Sequence, residues 1–250
     1  MNKNQTIEKL IKMRINTMAS MHQHHLANNL YNDSTPDEYI GLLTDMEWEE
    51  RQNTKIQRRI KQAGFRQQAS GSEVDFTTPR NLEKNMFNRL VALDFIAKKE
   101  NLILTGASGV GKSYLAQAIG HQACMMDYRV LYGITARLFN RLKLAKVDGT
   151  YNKELKKLAK YDVLILDDFG LQAFDNHARE ALMDIIEDRH TIKTTIVSAQ
   201  IPVSAWYDVI GEGTIADAIL DRLVNSSHRI DLKGESLRKT ILNNLNEKIN

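Results

Sequence analysis

Cysteine is almost missing from this sequence: Cys124 stands alone, so no internal disulfide can form, which suits a reducing compartment and places the lone thiol in a core. Long apolar runs are missing too. With no stretch of about 18 apolar residues there is no candidate membrane span, and the opening MNKNQTIEKLIKMRINTM lacks the apolar core and small-residue cleavage site of a secretory signal. A cytoplasmic location with no membrane partner is the expectation. Net charge is scarce as well: +3 over 250 residues is too small to argue nucleic-acid binding by itself. What is present, 42% hydrophobic and 26% charged residues, is the composition of a soluble chain with room for one substantial domain and a smaller one.

The distribution of charge says more than its sum. Six acidic and no basic residues lie between Asp37 and Glu50, and Arg51 to Arg66 then holds six basic and no acidic ones. Such block asymmetry marks an interaction surface. Ile7, Leu10, Ile11, Ile15 and Met18 recur at helical spacing, as do Tyr39, Leu42, Leu43 and Met46. Residues 1–67 therefore predict a small all-α N-terminal domain for DNA or partner binding, with Ser34 or Thr35 capping a helix that starts at Pro36. The segment 68–80, with Ser, Gly and Pro and no helical period, predicts a linker. Trp48 and Trp206 are expected to pack. His22, His24 and His25 have no further ligand at metal-binding spacing and predict no metal site.

From residue 81 to 250 the pattern becomes short apolar runs alternating with amphipathic helices, which predicts an α/β domain with a five-stranded parallel sheet flanked by helices. The expected strands are Leu102–Thr105, Arg129–Gly133, Val163–Leu166, Thr194–Ser198 and His228–Leu232. The expected helices are Asn81–Lys98, Lys112–Met126, Ala136–Lys146, His177–Arg189 and Ile215–Asn225.

Between the first strand and its helix stands GASGVGKS, a GxxxxGKS phosphate loop in the context that motif requires. Gly106, Gly109 and Gly111 permit tight turns that aim amides at phosphate oxygens, and the helix N-terminus adds attraction for anions. The nucleotide is expected to contact Gly106, Ala107, Ser108, Gly109, Val110, Gly111, Lys112, Ser113 and Tyr114, with Lys112 on the β- and γ-phosphates and Ser113 on Mg²⁺. A second apolar strand, YDVLILDDF, runs into Asp167 and Asp168; the first is positioned to hold the metal and the second to orient or deprotonate the attacking water. Gln200, or Ser198 beside it, can place that water, and Arg222 can stabilise charge on the γ-phosphate of a neighbouring subunit. ATP and Mg²⁺ are the expected cofactors, and Lys112, Asp168, Gln200 and Arg222 the expected catalytic set.

These features resemble the AAA+ ATPases of the DnaC/IstB group, and within it IstB-like transposition helpers, over about residues 75 to 238. LLTDMEWEERQNTKIQRRIKQAGF, DDFGLQAF and SAQIPVSAWYD carry the resemblance, since GASGVGKS alone is generic. It implies an ATP-dependent, DNA-binding homo-oligomer with ATP sites at subunit interfaces, which delivers target DNA to a cognate transposase and stimulates insertion. It assigns the Walker B carboxylates to Asp167 and Asp168, sensor one to Gln200 or Ser198, and the arginine finger to Arg222. Asp168 departs from the glutamate usual in AAA+ proteins, and the residues after Leu232 are too few for a full C-terminal lid, leaving Arg238 as a partial substitute for sensor two.

Duplex DNA demands cations for its phosphates. Lys55, Arg58 and Arg59 form one candidate set; Arg137, Arg141, Lys143, Lys146 and Lys153, flanking a loop expected at Val147–Asn152, form another. No base-reading motif accompanies them, so the contacts are expected on the backbone. Two other readings stay open: a DnaC-like replicative helicase loader using the same ATPase core, and a small-molecule kinase, which the paired acids and Arg222 disfavour.

Overall fold

The computed structural model describes residues 3–30 and 34–237. Compact contacts divide the chain into two units, Met1–Arg58 and Arg59–Asn250. The dividing point lies within one helix, ahead of the 68–80 segment expected as a linker.

The first unit holds α1 (Lys3–Lys12), α2 (Asn16–Asn28) and most of α3 (Pro36–Ala63). Thr35 and Glu38 start α3 as a reciprocal capping box: Glu38 N–H donates to Thr35 Oγ1 at 3.3 Å, and Thr35 N–H to Glu38 Oε2 at 2.8 Å. The start of α2 has no cap of its own. Glu47 of α3 supplies one, accepting from the N–H groups of Thr17 and Met18 at 2.9 and 3.1 Å, and Arg51 pairs with that same carboxylate at 2.7 Å. Part of the acidic-then-basic pattern thus closes on itself within this unit. His22 Nδ1 and the Tyr39 hydroxyl share a hydrogen bond of 2.8 Å. Trp48, expected to pack, is instead 63% exposed; Leu43 of the same helix is buried, and Trp48 falls on a different face at 100° per residue.

The second unit is built on five parallel strands, β1 (Asn101–Gly106), β2 (Val130–Ile134), β3 (Val163–Phe169), β4 (Thr194–Ala199) and β5 (Ser227–Leu232), ordered β2-β3-β4-β1-β5. The α/β sheet flanked by helices is as the apolar runs predicted. Both faces are covered: Leu102, Leu104 and Ile165 enter one core with Ile119, while Ile103, Leu164, Leu166 and Val197 enter the other with Leu182 and Ile219. Burial on both faces is why these strands read as continuous apolar runs. The first core is roofed by α4 (Lys84–Val91), α5 (Asp94–Ala97) and α6 (Lys112–Met125); the second by α7 (Thr135–Val147), α8 (Tyr151–Leu158), α9 (Asn176–Arg189), α10 (Trp206–Ile210) and α11 (Gly213–Val224).

Cys124 is fully buried, and that burial pushes its thiol up to about 11. Trp206 is also buried, with its ring 4.6 Å from that of Phe169. Arg189, 2% exposed, ends α9 and donates to the carbonyls of Tyr161 at 3.0 Å and Thr194 at 2.5 Å, tying the helix to the strand starts.

Three further expectations change. The single helix at Asn81–Lys98 is two helices, because Leu93 adopts φ 65° between α4 and α5. The loop at Val147–Asn152 shrinks to Asp148–Thr150, turned by Gly149 at φ 66°, so Lys153 lies on helix α8. The 68–80 segment belongs to the second unit, with Ala69, Val74 and Arg80 buried and the Tyr114 hydroxyl accepting from Ser70 N–H at 3.2 Å.

Candidate nucleotide site

The site sits at the carboxyl ends of β1 and β3, where parallel α/β sheets gather ligands. Gly106, Gly109 and Gly111 have φ of 138°, 87° and 101°, a region side chains resist. A β-carbon on Gly106 would strike the Leu232 carbonyl of β5, so the loop leaves β1 pressed against its neighbour strand. Gly111 then starts α6 with no side-chain cap. The first amides of that 14-residue helix are left for an anion, reinforced by the helix dipole.

Lys112 is 6% exposed and donates Nζ to Ala107 O at 2.7 Å, closing the loop on itself. Burial lowers its pKa, and the nearby carboxylates of Asp167 and Asp168 oppose that shift. Ser113 donates Oγ to Asp167 Oδ1 at 2.9 Å, bringing together the two residues expected on one metal. Asp167 is 1% exposed and takes a further bond from the Tyr132 hydroxyl, at 2.5 Å on Oδ2, while Thr135 Oγ1 donates to its main-chain oxygen at 2.8 Å. Hydroxyl and carboxylate oxygens are the ligands a hard divalent cation takes, so this donor set fits Mg²⁺.

A bulge separates the two acids. Leu166 pairs with Val197 and Phe169 with Ala199, so Asp167 and Asp168 together oppose Ser198 alone. The extra residue bends the strand, and Asp168 sits at φ 55°, a left-handed conformation that Asp tolerates better than most residues. Its carboxyl is pushed above the usual carboxylate range by burial first and by the Asp167 charge second; Lys112, Arg66 and a hydrogen bond from Gln200 pull the other way. A carboxylate so perturbed beside a phosphate loop has the chemistry of a base that orients and accepts a proton from water. Of the two sensor-one candidates, Gln200 reaches Asp168, whereas Ser198 Oγ is buried with no partner among the described residues.

Arg222 is not brought to this cluster by its contacts. Its Nη2 pairs with Glu187 at 3.2 Å and its Nη1 donates to Ala218 O at 3.0 Å. The Tyr114 side chain likewise turns from the phosphate loop, to Ser70 and Glu73. Arg238 lies outside the described residues.

The sequence profile of the IstB-like ATP binding proteins matches residues 8–244. The chain belongs to this family. A Sinorhizobium fredii relative of this IstB-like chain, described as an insertion sequence ATP-binding protein, is 44% identical over 234 residues, covering 94% of the chain and 96% of the relative. Among solved structures, the crystal structure of DnaI shares 26% identity with a TM-score of 0.55 over 66% of this chain and 92% of that one. The DnaC helicase loader shares 24% and 0.52 over 64% and 95%, a likeness of fold alone.

The basic candidates of this IstB-like chain separate by their partners. Arg59 pairs with Asp127, Lys143 with Asp175 at 2.9 Å and Lys146 with Glu180; Arg141 stands 3.8 Å from Glu154. Lys55 and Arg58 lie exposed on α3 in the first unit. Arg137 and Arg141 line one cavity of about 320 Å³ with Arg66, so cations from the two separate basic runs share a rim. Lys153 shares another surface with Lys156, Lys157 and Lys160. Tyr132 is invisible as a site residue in the sequence: it is an ordinary strand residue whose role rests on its tertiary contact with Asp167.

Proposed function

We propose that this chain is the ATP-dependent, DNA-binding helper of an insertion-sequence transposase. It assembles on target DNA with ATP, recruits and stimulates the transposase, and hydrolyses ATP to reset the assembly. The observation that carries the reading is Ser113 bonded to Asp167, with Lys112 close enough for the charges of Asp167 and Asp168 to act on it, in a chain whose relative is described as an insertion sequence protein.

Within the site, Lys112 and the α6 amides hold the phosphates, Asp168 with Gln200 orients the attacking water, and Ser113 and Asp167 would hold Mg²⁺, which would supply charge neutralisation to the phosphates when bound. Arg222, bound to its own α9 instead of its own loop, is available to the loop of a neighbouring copy, which makes the ATP site an intersubunit one. DNA is gripped by its backbone through Arg66, Arg137 and Arg141 at the shared rim, with Lys153 and its lysine neighbours, and Lys55 and Arg58 in the first unit, as further contacts. The partner is duplex DNA followed by the transposase, and the compartment is the cytoplasm.

The test is size and ATP turnover with and without duplex DNA. ATP-dependent assembly on DNA with stimulated turnover is expected; dilute monomers that hydrolyse ATP at the full rate would defeat the shared site. With a transposase and a replicative helicase each added to that assay, a helicase loader, supported by fold likeness alone, would bind the helicase and ignore the transposase.

A further inference from the structure

Two segments far apart in sequence, one before β1 and one after β5, meet on the phosphate loop. Arg80 is only 5% exposed. Its Nη1 donates to Val110 O at 3.1 Å and its Nη2 to Asp75 O at 2.5 Å, and its Nε has no partner among the described residues. From the segment after β5, Leu237 N–H donates to Gly109 O at 3.0 Å. The two segments also hold each other, because the Arg80 carbonyl accepts from Lys233 N–H at 3.0 Å. Contact is close: a β-carbon at Gly111 would stand 2.6 Å from Arg80 Nη1, and one at Gly109 would collide with Ser236 Oγ.

The geometry of the peptide group gives these bonds a consequence. In a planar trans peptide the C=O of one residue and the N–H of the next point in opposite directions. A donor fixed on Gly109 O therefore turns the Val110 N–H away from the clamp, and a donor fixed on Val110 O does the same for the Gly111 N–H. Those two amides lead directly into the uncapped start of α6.

We propose that Arg80, helped by the backbone of Leu237, is a positioning residue for the nucleotide. It locks two successive peptide planes so that the amides of Val110 and Gly111 stand ready for phosphate oxygens before ATP arrives. Donors set in advance spare the binding step the cost of ordering them. Arginine suits the task because its planar fork spans two carbonyls, Val110 O and Asp75 O, which a lysine ammonium on a flexible stem does not hold together. The buried guanidinium also places a positive charge behind the loop.

The proposal rests on this loop being the ATP site, so the experiment carries a control for that reading. In the full chain, Arg80→Met, Arg80→Lys and Lys112→Ala are compared by titration with a fluorescent ATP analogue and Mg²⁺. Amide hydrogen exchange over residues 106–113 and thermal unfolding are measured on each. Arg80→Met is expected to bind nucleotide about tenfold more weakly, the scale of one lost charge-assisted hydrogen bond, with faster exchange in the loop and cooperative unfolding retained. Arg80→Lys is expected between the two. A folded Arg80→Met with parental affinity and parental exchange overturns the proposal, and if that variant does not fold, a parental Arg80→Lys overturns it equally. Parental nucleotide binding by Lys112→Ala would mean that the loop is not the site, and both readings would fall together.

Discussion

Tyr132 and Asp167 are joined by a 2.5 Å hydrogen bond from the phenol to Oδ2, and Ser113 holds Oδ1 at 2.9 Å. With both oxygens engaged, the carboxylate has one orientation. Burial, and then the bond to Asp167 and its charge, push the Tyr132 hydroxyl far above its ordinary value, so it remains a donor at every pH the protein meets.

Tyr132→Phe therefore frees one oxygen without altering packing much. It is expected to raise the Mg²⁺ concentration for half-maximal ATP turnover several-fold, and to cost about 1–3 kcal/mol of stability for the donor lost from a buried acceptor. Turnover against Mg²⁺ at saturating ATP, alongside thermal unfolding, measures both. An unchanged Mg²⁺ dependence would detach Tyr132 from the site.

Asp168→Asn should lose turnover, keep nucleotide binding and gain stability. The sign follows from its raised carboxyl pKa in the fold: the protonated form is favoured there, so stability is fully present below the unfolded pKa and is lost as pH rises through the folded one. A neutral amide removes that loss at pH 7, and Asn accepts φ 55° as readily as Asp. The expected gain in Tm is about 1–3 °C. In the parent, turnover should fall on acidification at a higher pH than an ordinary aspartate would give. Normal turnover by the Asn variant would remove Asp168 from the mechanism.

Arg222→Ala should leave the fold intact, abolish turnover alone and recover it in mixtures. The Glu187 pair it breaks is partly exposed and worth at most about 1 kcal/mol, so unfolding should barely move. Turnover should disappear in the pure variant and return in part when it is mixed with Asp168→Asn subunits, each supplying what the other lacks. Mixtures as inactive as either parent variant would argue for a site complete within one chain.

The arginine rim makes a prediction about salt. For each phosphate contact removed from Arg66, Arg137 or Arg141 by alanine, the slope of log K for duplex DNA against log salt should shrink by about 1. Lys143→Ala should leave the slope alone, since Asp175 already holds that ammonium at 2.9 Å. Equal effects at all four positions would mean a diffuse field and no localised grip.

The parts of this fold that are legible in the sequence are those where local chemistry and tertiary environment agree. Leu164, Ile165 and Leu166 are apolar because both sheet faces are covered, and the run announces the strand. Thr35 caps its helix through a neighbour three residues away. GASGVGKS is legible because glycine alone relaxes at its three left-handed positions. Leu93 conceals the break between α4 and α5, since nothing about leucine foretells φ 65°. Arg66 and Arg137 belong to basic runs that look independent until the fold sets them on one cavity. Arg80 and Tyr132 gain their roles from partners 30 and 35 residues away, beyond any periodicity.

The order β2-β3-β4-β1-β5 means that the loop and the paired acids grow from strands that are not neighbours. β4 runs between them as a gauge block. Two strand spacings, about 10 Å, separate the ends of β1 and β3, and Ser113 closes onto Asp167 because α6 carries it back over that width. The reach of the site is thus calibrated by a backbone ladder: Val197 pairs with Ile103 of β1 on one side and Leu166 of β3 on the other, and holds apart the strands that carry the loop and the acids.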